Sequence, residues 1–177
     1  MDNDNIIACI CEGSAEEAII EILLENNALI FKRCDLLDEK VIRTRSASKF
    51  EEQYLRKGFG DKKITVFRIL DSRREDFNLS KAYKNKVEVI NVITAPEIEM
   101  LIIHNEGKYE DFKKSRKKPS DYCKEDLKYP NVKSYKFARD YFSNASILIN
   151  AIKLYRSKAR IPKNEKTLFD LLSKTGN

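Results

Sequence analysis

Tryptophan is absent from this chain and histidine occurs once, as His104. Zinc therefore has almost no raw material: the four cysteines, at 9, 11, 34 and 123, include no C-x-x-C spacing. Cysteine–histidine nucleophilic chemistry is equally short of parts, because Cys9 and Cys11 fall in an apolar run that reads as buried strand. No apolar stretch approaches the roughly 20 residues that span a bilayer, and Met1–Asn5 lacks the basic opening of a signal peptide. Glycine is scarce, with five in all. The segment KGFGDKK (57–63) lacks phosphate-loop spacing and precedes a strand, so it reads as a turn. These absences predict a cytoplasmic chain with reduced thiols and no membrane partner.

What is present suits one domain of ordinary size with a real core: 177 residues, 42% hydrophobic and 35% charged. The net charge of +6 points to a polyanionic partner. Residues 6–11 (IIACIC) read as a buried strand, and Ala15 to about Asn26 repeats apolar residues at helical spacing. Residues 28–44 read as short strand pieces around an acidic turn, and an amphipathic helix follows Ser46. ITVFRIL (64–70) and VEVINVI (87–93) supply two further strands, and Pro96 suits the first turn of the next helix. From about 107 onward the pattern reads as helical throughout, with Pro119, Pro130 and Pro162 as breaks. Strands alternating with helices, then helices alone, predict an α/β fold with a mostly parallel sheet and a helical C-terminal extension. The expected division is a core over 1–106 and a basic extension over 107–177, packed as one compact unit.

Open parallel sheets bind ligands outside the carboxyl ends of their strands. Two predicted strands end in an acid, Glu12 after IIACIC and Asp71 after ITVFRIL, and Glu97 and Glu99 follow the third. Carboxylates on one rim can hold Mg²⁺, which keeps several waters and needs few protein ligands. Acids at such places also cap helices or stand solvated in loops.

Three stretches resemble Toprim domains: ICEGSAEEAII, in which a strand-end glutamate precedes a glycine and a helix; VFRILDSRRED, in which a strand ends in aspartate; and TAPEIEMLIIHN, similar to the P-x-x-E stretch of the RloB-like branch. That branch is found in abortive-infection and phage-defence settings and is related to the nucleases of the OLD family. The resemblance covers roughly residues 5–105, with a weaker echo to about 155. It implies a Rossmann-like Toprim core, Mg²⁺ or Mn²⁺, and phosphodiester chemistry on nucleic acid. By position it assigns catalysis to Glu12, Asp71 and Glu99, with Glu12 as general base, and metal ligation to Glu12 and Asp71. A second aspartate is expected two residues after Asp71, where Arg73 stands instead; Asp76, with Glu75 beside it, is the nearest substitute. A guanidinium at that place favours direct phosphate binding.

Between Lys108 and Lys136 the chain carries ten Lys/Arg against five Asp/Glu, interleaved with Tyr109, Phe112, Tyr122, Tyr129 and Tyr135. Such a mixture suits phosphate contacts and base stacking, or else a solvated helix face with its aromatics turned inward. Its densest part supplies Lys113, Lys114, Arg116, Lys117 and Lys118, which with Arg73 form the expected nucleic-acid edge. His104 reads as a general base or as a structural residue near a helix end. The expected function is a metal-dependent nuclease of a bacterial or phage-defence setting. The alternative is a catalytically degenerate Toprim module that binds nucleic acid or nucleotide for a partner, such as a separately encoded ATPase.

Overall fold

A computed structural model describes residues 5–60 and 62–174. The opening segment read for a signal lies, apart from Asn5, outside the described residues, as does Asp61 of the KGFGDKK turn. Gly58 and Gly60 of that turn both adopt positive φ, 71° and 62°, which a side chain would disfavour.

Three parallel strands form the sheet in the order β1 (Asn5–Cys11), β2 (Lys63–Leu70), β3 (Val87–Ile93). Cys11 lies opposite Ile69 and Arg68 opposite Asn91. Both faces are covered, so the strands read as nearly continuous apolar runs. Odd-numbered Ile7, Cys9, Cys11, Phe67 and Ile69 face the larger core, and even-numbered Ala8, Ile10, Ile64 and Val66 face the smaller. Cys9 and Cys11 thus share one buried face, as their spacing predicts.

The larger core takes α1 (Ser14–Glu25) and α3 (Glu97–Asn105), which follow β1 and β3. The smaller is closed by α2 (Ala47–Phe50), which runs on without interruption as a wider, π-type turn to Leu55. Ser46 caps α2, its hydroxyl accepting from the Lys49 amide at 3.3 Å. Residues 28–44 form two 3₁₀ turns and isolated bridges: Ile42 lies beside Ile10 of β1, and Leu36 beside Ile7.

Beyond 107 come α4 (Tyr109–Ser115), α5 (Pro119–Glu125), α6 (Tyr135–Tyr141) and α7 (Ala145–Lys158). Pro119 opens α5 instead of breaking a helix, as its missing N–H allows at the first position. Pro96 stands just before α3, after a cis peptide bond from Ala95. Leu148, Ala151 and Ile152 of α7 share the larger core with α1 and α3, so the extension completes the core.

One part of the helical reading is corrected. After Lys158 the chain forms an irregular strap with one short 3₁₀ turn at Leu168–Leu171. Pro162 and the polar Lys163–Lys166 give no apolar stripe to hold a helix. The strap uses backbone bonds to the sheet region instead: Ile93 N–H donates to Lys166 O at 2.8 Å, and Ile30 N–H to Leu171 O at 2.8 Å.

Candidate phosphate-binding cleft and carboxylate pocket

The acids at the strand tips part company because a strand has a period of two. Glu12 continues the even-numbered face of β1, and Asp71 the odd-numbered face of β2. They serve two different sites.

On the smaller-core face, Glu12 is 6% exposed and accepts from Nη2 of Arg68 at 2.8 Å. Arg68 is fully buried within β2. It also donates to Glu75 O at 3.3 Å and Asn91 Oδ1 at 3.5 Å, approaches the Glu75 carboxylate at 3.9 Å, and stacks 4.6 Å from the Phe77 ring centre. One guanidinium thus serves two carboxylates. Burial, then the neighbouring Glu75, pushes the Glu12 carboxyl up to about 7 against the opposing pull of Arg68.

Glu12 and Cys11 border a cleft of about 460 Å³ whose other lining residues are Arg43, Thr44, Arg45, Ser46, Lys49 and Gln53. Its geometry follows from local pairing. Ile42 N–H donates to Cys9 O at 2.8 Å and accepts at its carbonyl from Cys11 N–H at 3.0 Å, which lays 43–46 beside the carboxyl end of β1. Lys49 of α2 and Gln53 of the π-type turn that continues it, four residues apart, both line the opening. Arg43 is engaged by Glu17 at 2.7 Å. Arg45 and Lys49 have no ion-pair partner among the described residues, and the charge of Arg45 falls on Glu12.

On the other face, Asp71 Oδ2 lies 2.9 Å from Nζ of Lys133, and Glu99 Oε1 lies 3.4 Å from the same nitrogen. Glu16, in the first turn of α1, joins them: its carboxylate accepts from Thr94 Oγ1 at 3.3 Å, and both Asp71 and Lys133 act on it electrostatically. A Cβ on Gly13 would come within 1.9 Å of Glu16 Oε2, so the glycine leaves room for that carboxylate to fold back over its own helix start. Burial raises Glu16 and Glu99 above the ordinary carboxylate range, while Lys133 opposes the rise at both.

The remaining predicted residues are dispersed. Asp76 is exposed on the loop after β2. Arg73 is engaged within the chain: its Nε donates to both Glu165 oxygens at 3.0 and 2.9 Å, and its Nη1 to Ala95 O at 3.1 Å. Lys113 pairs with Glu110 at 3.1 Å, and Lys117 with Asp126 at 2.6 Å and Glu125 at 3.0 Å. Lys114, Arg116 and Lys118 are exposed. The interleaved aromatics turn inward: Tyr109 stacks on His104, Phe112 meets Tyr122 edge-on, and Tyr129 packs on Phe137 and Tyr141. Tyr135 is the exception, at 42% exposure. His104 is 8% exposed in the helical layer, and burial lowers its basicity.

The divalent ion implied by the Toprim resemblance does not fit the ligands assigned to it. Glu12 is bound to Arg68, Asp71 is bound to Lys133, and Asp76 joins neither. Among the described residues, no three acids, cysteines or histidines are gathered closely enough to hold a metal ion. Also among these residues, no helix is long and apolar enough to cross a membrane. The chain matches no protein-family model, no curated protein and no solved structure.

Sequence reading missed Arg68, Glu16, Lys133 and the Arg43–Lys49 wall. Two signals were available. Arg68 is a charge inside an otherwise apolar strand and needs a buried partner. RTRS (43–46) places two arginines around a hydroxyl just before a helix cap.

Proposed function

We propose that this chain is a binding module for phosphate-bearing polyanions, nucleic acid foremost, and that it engages the backbone through the Arg43–Gln53 cleft. The carrying observation is the pair Arg45 and Lys49, left without ion-pair partners among the described residues, beside Ser46 and Thr44 at the carboxyl end of a parallel strand. Guanidinium, ammonium and hydroxyl donors there suit phosphate oxygens. The net charge of +6 adds a long-range attraction for the same ligands. This is the degenerate-Toprim alternative, in which a partner such as a separately encoded ATPase supplies the chemistry.

One observation favours a hydrolytic reading as well. Glu12, with its carboxyl pushed up to about 7, borders the same cleft and is suited to taking or giving a proton near neutral pH.

Both readings meet in one experiment. Fluorescence anisotropy is measured with labelled single-stranded RNA, single-stranded DNA and duplex DNA, in EDTA, across a salt series. Substituting Arg45→Ala and Lys49→Ala together should weaken binding about tenfold, or ~1.4 kcal/mol. The slope of log affinity against log salt should flatten by roughly 0.7 per lost contact on single strands. Equal affinity in the double variant would sink the cleft as the binding site. Gel lanes of the same mixtures test hydrolysis: cleavage in EDTA that Glu12→Gln abolishes would move the conclusion to an enzyme.

A further inference from the structure

Glu12 borders the cleft, and it shares one nitrogen atom with a second acid. Its Oε1 lies 2.8 Å from Arg68 Nη2, and Glu75 Oε2 approaches the same nitrogen at 3.9 Å. Glu12 comes from the end of β1 and Glu75 from the loop after β2, so the guanidinium joins strand to loop. Arg68 cannot serve both acids fully. It is wholly buried, its Nη1 is turned to Glu75 O and Asn91 Oδ1, and its Nε has no hydrogen-bond partner among the described residues.

Two ionised carboxylates around one guanidinium leave one negative charge over. A single proton on either acid brings the cluster to neutrality. Buried excess charge is costly, and carboxylates gathered on one cation oppose each other's ionisation. The other groups facing Glu12 do not remove that excess. Arg45, from the segment before α2, acts on it electrostatically, while Arg43 is engaged by Glu17 of α1. Lys49 of α2 lines the same cleft. Asn91 of β3 is neutral, and burial keeps the neighbouring Cys11 thiol protonated. Burial and Glu75 outweigh the cations, which agrees with a Glu12 carboxyl pushed up to about 7.

An ionised Glu12 and a phosphate compete for the same positive charge. The negative charge of Glu12 draws on Arg45 and repels an incoming anion. Once the cluster is neutral, Arg45 and Lys49 are left wholly to the phosphate. We propose that phosphate binding in the cleft is coupled to uptake of one proton by the Glu12–Arg68–Glu75 cluster, so that affinity rises as pH falls through neutrality. The coupling rests on the cleft being the phosphate site. It is reciprocal: a bound phosphate makes the cluster harder to ionise.

The test follows the affinity of the full chain for a labelled oligothymidylate without terminal phosphates, at constant salt, from about pH 6 to about pH 8.5, a range in which ordinary carboxylates and lysines do not titrate. The wild type should bind about fivefold or more tightly at the lower end. Glu12→Gln, uncharged throughout, should give a nearly flat profile. Titrations elsewhere, such as those of Glu97 and His104, persist in that variant and so cancel in the comparison. Glu75→Gln leaves Arg68 to Glu12 alone and should move the midpoint of the profile to lower pH. A flat wild-type profile overturns the proposal, and so does an equal pH dependence in Glu12→Gln. If Glu12→Gln fails to fold, Glu75→Gln, at a half-buried loop position, decides alone, and an unmoved midpoint overturns the proposal. Arg45→Ala with Lys49→Ala separates this failure from that of the cleft. Binding that weakens in the double variant keeps the cleft whatever the pH profile, whereas unchanged binding, or no binding at any pH, removes the cleft and the coupling together.

Discussion

Glu97 is the most completely buried acid outside the two sites, with no exposed surface. One of its oxygens accepts from Leu168 N–H at 3.3 Å, and the other has no partner. Burial first, then the charge of Asp170, pushes its carboxyl up to about 8, while the Leu168 amide and Arg156 act against the rise. An acid whose folded pKa lies above its unfolded value holds an extra proton in the folded state between the two. Its contribution to stability is therefore full below about 4.5 and is lost as pH rises toward 8. Unfolding free energy should fall by up to ~1.4 kcal/mol per pH unit from this residue across that window. Glu97→Gln should remove that part of the slope, most cleanly between about 7 and 8, above the range in which Glu12 contributes. Urea denaturation at stepped pH checks it, and an unchanged slope would show that Glu97 is ionised in the folded chain. At this scale the sequence was a partial guide. Strand-tip acids stood out by position, but the side chains that neutralise them did not, because Lys133 is 62 residues from Asp71 and Glu12 is 56 from Arg68.

Elements were easier to read than contacts. All three strands, the helices after β1 and β3, and the helix that follows Ser46 were legible from apolar spacing. The placement of the acids was not, since it depends on register. With Cys11 opposite Ile69, the next residues along are Glu12 and Leu70, so Glu12 and Asp71 are one step out of phase and emerge on opposite faces. No inspection of either strand alone supplies that offset. The strap after α7 was misread for a related reason: its order comes from distant backbone partners and not from a local stripe. Arg73 is one of its anchors, through Glu165. Arg73→Ala should therefore speed amide exchange around 163–168 while leaving nucleic-acid affinity nearly unchanged. Hydrogen exchange and anisotropy on the same variant check both halves, and a large loss of affinity with an unaltered strap would return Arg73 to the binding surface.

For the whole molecule, the basic charge is spread and the sites are segregated. The two faces of the sheet separate the Arg45–Lys49 cleft, bordered by Glu12, from the Asp71–Glu99–Lys133 ion-pair cluster. Composition alone suggested a polyanionic partner. It located the contact surface in 108–136, where ion pairs and inward-turned aromatics already occupy much of the chemistry. Lys114, Arg116 and Lys118 stay exposed there. Arg45 and Lys49, without ion-pair partners among the described residues, add cations at a second place, a stretch with no conspicuous charge run where a bridge to β1 and one short helix create a concavity.

The strap has a consequence at this scale. β3 is the outermost strand, and among the described residues its outer side is bridged only at Val92, by Lys166. An open strand edge is a template on which another chain can build. The strap is thus a guard against self-association, covering the end of β3 where its apolar residues Val92 and Ile93 lie. A chain ending after Lys158 should lose this guard together with Leu168 and Leu171, which are buried in the larger core, and size-exclusion chromatography should show it forming larger assemblies than the full chain. A truncated chain that stays as small and monodisperse as the full one would mean that β3 resists strand addition unaided.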